Sequence, residues 1–252
     1  MRTANVMDVY NNDAIAVGLN EKSSNSSLET IVKQFNLEDY DMTSQIFDIE
    51  SGTTNKDWAY QTLAEEFVET DAMDTYFEKN KHNTKVALYS VAIAQSMDLD
   101  KSAQKDLFNI SLIKDLGLNL GKYTEADLMH AKETFYFQNK LEEPLVSHIK
   151  YSTQIIQNCS KFSDMKKANM RLTMSLQYAK QEFKEIPSSN RKIRNISDTA
   201  NQYATIIRMA EELVIRSNHY GLNGAIQQMK PPEKNDSYLK KQAYDSIEKF
   251  AA

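Results

Sequence analysis

Few residues in this chain are able to carry acid–base, nucleophilic or metal chemistry: it has four histidines and one cysteine among 252 residues. Cys159 completes an apolar stripe with Leu145, Ile149, Ser152 and Ile156, which reads as a packed thiol rather than a nucleophile. His130 reads as a solvated residue of an amphipathic helix. His219 lies near a helix C-terminus, where an imidazole complements the dipole. No His-Glu-x-x-His, Cys-x-x-Cys or nucleophile-elbow pattern is present. What remains is an ordered set: His82, then Lys114-Asp115-Leu116-Gly117, then His148, then Asp198. Neutral imidazoles and carboxylates are the donors a divalent metal takes. Lys114 is not such a donor, because an ammonium has three N–H donors and no lone pair. Its expected role is an ion pair with Asp115 or Asp198.

The elements that must position these residues read as helices from Asp57 onward, by their 3.6-residue apolar period. Asp57 caps a helix with Tyr60, Leu63, Phe67 and Val68 on one face. A second, near 80–97, is apolar on all sides and begins with His82, which predicts central burial. A third, about 102–116, is expected to stop at Gly117 in a left-handed C′ position. Thr124 to Asp127 predicts a capping box opening a fourth. Pro144 suits the first turn of a fifth, which carries His148. A sixth holds Leu172 and Leu176 and ends before Pro187. The seventh has the stripe Ile196, Ala200, Tyr203, Ile207, Ala210 and Val214, with Gly221 beyond its end. A short helix at 222–229 and a last one with Leu239, Ala243, Ile247 and Phe250 follow.

Composition agrees with an all-α fold. Six glycines and four prolines are far fewer than the roughly 12% of average usage, and folds rich in turns need both. The six glycines assemble neither a Gly-x-Gly-x-x-Gly nor a Walker A phosphate cradle. A net charge of −5 argues against nucleic acid as a partner. The single cysteine excludes an internal disulfide and fits a reducing cytoplasm. No apolar run is long enough to suggest a membrane span or leader. Three regions are expected: a partly ordered N-terminal arm at 1–56, a helical domain at 57–230 and a C-terminal helix at 231–252. The arm and the last helix are candidate assembly elements.

Across about residues 76–230 the ordered set resembles the HD superfamily, and within it the HD-GYP branch. His82 followed by Val86 to Ala94 is similar to that family's first histidine helix. Leu112-Ile113-Lys114-Asp115-Leu116-Gly117 stands where the family has a hydrophobic pair and then His-Asp-Ile-Gly-Lys. Pro144 to Ser152 resembles the next histidine and its helix, and Ile193 to Ala200 the stretch with the final metal-binding aspartate, Asp198. The resemblance implies a helical bundle of bacterial cyclic di-GMP phosphodiesterases holding two or three iron or manganese ions.

The departures bear on function. Lys114 replaces a metal-binding histidine, and Leu118 replaces the lysine that assists catalysis in the family. Gln177 and Tyr178 fall near the place of paired histidines, and Glu182 to Pro187 keeps only the proline of the Gly-Tyr-Pro loop. The remnant metal-site positions are therefore His82, Lys114, Asp115, His148, Gln177, Tyr178 and Asp198, with no catalytic residue, metal or cofactor expected. The expected function is that of a catalytically inactive scaffold or adaptor in a bacterial signalling or cell-envelope assembly. It would act through protein partners, a larger complex or a homo-oligomer. Two alternatives stay open beside it. One is a residual phosphodiesterase with a single metal on His82, Asp115, His148 and Asp198; the other is a cyclic-dinucleotide receptor without turnover. The four residues are otherwise unrelated polar groups of an ordinary bundle.

Overall fold

The computed structural model describes residues 81–120, 122–158, 163–178, 191–233 and 236–251. The helix expected from Asp57, the arm at 1–56, Cys159 and the stretch 182–187 lie outside these residues. The described chain is all-α, with no strand among its elements. Helix α1 is Lys81–Ser96, α2 Lys101–Ile113, α3 Glu125–Gln138, α4 Glu143–Asn158 and α5 Asp164–Gln177. The long α6 is Arg191–Gln228 and α7 is Tyr238–Glu248. Short 3₁₀ turns follow α2 (Leu116–Leu120) and α7 (Lys249–Ala251). None of these helices is long and apolar enough to cross a membrane.

Capping residues set several boundaries. The Asp100, Ser163 and Ser237 side chains accept from backbone N–H groups three residues on, opening α2, α5 and α7. Thr124 and Asp127 form the expected capping box at the start of α3. Gly221 breaks α6 at φ 68° and ψ 171°, a conformation open to glycine alone, and the chain then continues as helix to Gln228.

Helix α2, the third of the helices expected from the sequence, ends differently from expectation. It stops at Ile113, Lys114 is right-handed, and Gly117 has no positive φ. Glycine is required there by proximity instead. A Cβ on Gly117 would lie 2.2 Å from the His148 carbonyl oxygen and 2.3 Å from the Ser152 nitrogen. The 3₁₀ turn therefore presses its backbone directly on α4. Ser152 Oγ fastens the contact, accepting from Gly117 N at 2.8 Å and donating to the Lys114 carbonyl at 2.7 Å.

The apolar residues bury in two main groups. The larger one joins α1, α2, the ends of α4 and α5, α6 and α7 through Val86, Ile93, Leu107, Ile155, Met174, Ile207 and others. Residues 86–94 of α1 are all buried, as the all-round apolar pattern implies. The C-terminal helix belongs to this core: Ala243, Tyr244, Ile247 and Phe250 are part of it, so α7 is no detached appendage. The second group gathers Leu128, Ala131, Phe135, Tyr136, Leu145, Tyr178 and Ile215, with Leu118 against its edge. Along α6, Ala210 belongs to the first group and Ile215 to the second, and Glu211 lies between them.

Candidate functional site

Charged groups this deep in a helical core need partners, since an unpaired buried charge is far more costly than a buried hydrocarbon. Lys114 and Asp115 come from the turn that follows α2, Lys132 from α3, and Glu211 from the middle of α6. Lys132 and Glu211 have no exposed surface, and Lys114 and Asp115 have 2% each. The four meet. Lys114 Nζ donates to Asp115 Oδ2 at 2.9 Å and to Glu211 Oε1 at 2.5 Å. Lys132 Nζ donates to the same Asp115 oxygen at 2.5 Å and stands 2.9 Å from the same Glu211 oxygen.

Two imidazoles close the ends of this arrangement. His82 Nε2 on α1 lies 3.2 Å from Glu211 Oε1, and His148 Nε2 on α4 lies 3.1 Å from Asp115 Oδ1. The second Glu211 oxygen accepts from Tyr136 Oη at 3.0 Å, Tyr178 Oη at 2.5 Å and Gln177 Nε2 at 2.9 Å. Glu211 is thus the hub, with six polar groups around two oxygens that offer about four lone-pair positions.

The electrostatics follow from this packing. Burial alone would raise the pKa of both carboxylates, but the two ammonium charges overcome it. Asp115 and Glu211 are both held well below the usual carboxylate range. Burial and the charge on Lys132 lower His82 to about 4, so its imidazole is neutral at pH 7. Burial, reinforced by Glu211, raises Tyr136 and Tyr178 well above the phenol range, so both remain donors. Lys132 rises above the ordinary lysine value because Asp115 and Glu211 outweigh its burial. For Lys114 burial prevails, and its value falls. With both lysines protonated, the two ammonium and two carboxylate charges cancel.

Six of the seven positions singled out in the sequence converge here: His82, Lys114, Asp115, His148, Gln177 and Tyr178. Asp198 does not. It is exposed on α6, about 20 Å along the helix axis from Glu211 at 1.5 Å per residue. Lys114 accordingly pairs with Asp115 and Glu211, not with Asp198. Its place as the acidic residue of the site is taken by Glu211.

Glu211 and Lys132 escaped the sequence reading, although each left a signal. Glu211 follows Ile207 by four residues and precedes Val214 by three, which puts a carboxylate on the apolar stripe of α6. Lys132 follows Leu128 by four and precedes Phe135 by three, which puts an ammonium on the buried side of α3. Outside the site, His130 is exposed, and His219 pairs with Glu133 at 3.0 Å on the surface.

The iron or manganese ions implied by the family resemblance do not fit this donor set. The space between Asp115 and Glu211 is spanned by two ammonium groups, which offer a metal no lone pair and repel its charge. Among the described residues, no three His, Cys, Asp or Glu side chains are grouped so that they could hold a metal ion. Comparisons with protein-family models, curated proteins and solved structures find no match to this chain.

Proposed function

We propose that this chain is a catalytically inactive HD-GYP-like protein, a bacterial cytoplasmic scaffold or adaptor that works by contacting other proteins in a signalling or cell-envelope assembly. The observation that carries the reading is the position of Lys114 and Lys132 between Asp115 and Glu211. Phosphodiester hydrolysis needs a group to polarise the phosphate and a base or metal to activate water. Here both lysines are committed to buried carboxylates, and Glu211 accepts from donors on both of its oxygens. Retention of a fold after loss of its chemistry is an ordinary outcome, because sites and scaffolds vary independently.

A protein partner also suits the surface beside the centre. Arg216 lies over the Phe137 ring at 5.0 Å, while its guanidinium donates to the Tyr136 carbonyl at 2.9 Å. Tyr220, half exposed, lies against Phe137 and His219 with ring centroids 6.4 and 6.1 Å away. Phe137 and Tyr220 are the exposed members of this group, with Arg216 buried beneath them, and aromatic residues are among the types that dominate binding energy at protein interfaces.

The test is purification from the native host under mild conditions. A stable protein complex is expected, and it should weaken in a Phe137→Ala/Tyr220→Ala variant that keeps wild-type helicity. A chain that elutes alone, without partner or oligomer, contradicts the reading. So does hydrolysis of cyclic di-GMP with added manganese or iron that disappears in Asp115→Ala.

A further inference from the structure

Thr199, about 18 Å along α6 from Glu211 at 1.5 Å per residue, lines a cavity of about 330 Å³ that opens to solvent. Three helices meet there. Asp106 comes from α2, Met165, Lys166 and Asn169 from the first turns of α5, and Ile196 and Thr199 from the first turns of α6. The volume lies at the lower end of the roughly 300–1,000 Å³ that small-molecule sites occupy. Lys166 Nζ stands 3.3 Å from Asp106 Oδ1, with the two side chains 37% and 31% exposed. A pair so open to water contributes little, because solvent screens it and ordering two flexible side chains opposes it. Met165, more than half exposed, and Ile196 set an apolar surface beside these charges. Asn169 Oδ1 is buried at the wall without a hydrogen-bond partner, which is unfavourable for an amide oxygen.

We infer that this cavity binds a free amino acid as its zwitterion, with the ammonium on Asp106, the carboxylate on Lys166 and an apolar side chain against Met165 and Ile196. The ion pair selects for that chemistry. A ligand with one charge takes one member of the pair and leaves the other uncompensated. A zwitterion exchanges one weak pair for two, because its opposite charges sit on a single carbon and each meets its complement. The neutral groups complete the match. An ammonium has three N–H donors, and rotation of the Asn169 carboxamide turns its unpartnered oxygen toward one that Asp106 leaves over. The Thr199 hydroxyl is a donor for the carboxylate. Polyanions are disfavoured, since the cation of the pair stands against an acid. The inference goes beyond the reading of the buried centre and does not depend on it.

The experiment follows the thermal midpoint and calorimetric heat of the full-length protein with leucine, methionine and glycine. Two analogues of leucine serve as controls: 3-methylbutylamine, which lacks the carboxylate, and 4-methylpentanoate, which lacks the ammonium. Leucine and methionine are expected to raise the midpoint by roughly 3–6 °C at a concentration tenfold above Kd. Glycine should bind about tenfold more weakly, the effect of leaving roughly two methylenes unburied. Neither analogue should shift the midpoint. Asp106→Asn and Lys166→Met, both at partly exposed positions, should keep the unliganded midpoint near that of wild type and each abolish the response to leucine. Leucine without heat or shift up to its solubility limit overturns the inference. So does an equal shift from the amine or the acid alone, or a response to leucine that persists in either variant.

Discussion

Glu211 decides the character of this molecule more than any other residue. It has no exposed surface, and six polar groups from His82, Lys114, Lys132, Tyr136, Gln177 and Tyr178 surround it. Changing Glu211 to Gln keeps the volume but leaves the ammonium groups short of one negative charge. Breaking one partner of a buried ion network costs about 3–5 kcal/mol, against a total of roughly 5–15 kcal/mol for a typical domain. A denaturant midpoint is expected to fall accordingly for Glu211→Gln. Asp198→Ala, on the exposed face of the same helix, should stay within about 0.5 kcal/mol of wild type. Equal effects at the two positions would contradict the placement of Glu211 at the centre.

His82 makes the same centre sensitive to pH. Its value falls from 6.5 in an open chain to about 4 in the fold, chiefly through burial and then the charge on Lys132. Between those limits the unfolded chain binds a proton that the folded chain refuses, so stability falls as pH drops from about 6.5 to about 4. A shift of that size is worth up to about 3 kcal/mol. His82→Gln removes this dependence. The stability difference between wild type and His82→Gln should therefore narrow between pH 7 and pH 4 in urea titrations; a constant difference would contradict the neutral, buried imidazole. Asp115 and Glu211 extend the acid sensitivity lower. Their folded values lie below the ordinary carboxylate range, so their contribution is present above about pH 4 and is lost as pH falls further.

At the scale of elements, much of the architecture is legible in local chemistry. The Thr124–Asp127 capping box, the apolar α1 and the glycine break after Tyr220 all occupy the positions their residue types suggest. Local signals decide these features, because the interacting groups are three or four residues apart. Gly117 is the instructive exception. Its neighbours in sequence suggest a helix C-terminus, but its role depends on α4, more than 30 residues away, whose backbone leaves no room for a Cβ. Gly117→Ala is expected to cost roughly 1–3 kcal/mol through overpacking. Thr124→Ala, which removes only an exposed cap, should cost about 1 kcal/mol. A midpoint for Gly117→Ala equal to wild type would show that α4 yields without penalty, and with it the tight seat of the Lys114-Asp115 corner.

For the molecule as a whole, six of the seven polar residues chosen from the sequence share one buried centre. The residue pattern did not disclose the two that complete it. Periodicity marks Glu211 and Lys132 as charges on apolar stripes, but only the packing of α3 and α6 against the end of α2 makes them mutual partners. The choice of Asp198 failed for a related reason. Its position in a family-like stretch carries no information about which way its side chain faces, and on α6 it faces solvent. What the fold adds is a centre whose two positive charges are part of the chain. Metal analysis of wild-type protein, purified anaerobically from its native host and desalted without chelator, tests that claim most directly. Iron, manganese and zinc are all expected far below one ion per chain; stoichiometric metal that is lost in Asp115→Ala would contradict it.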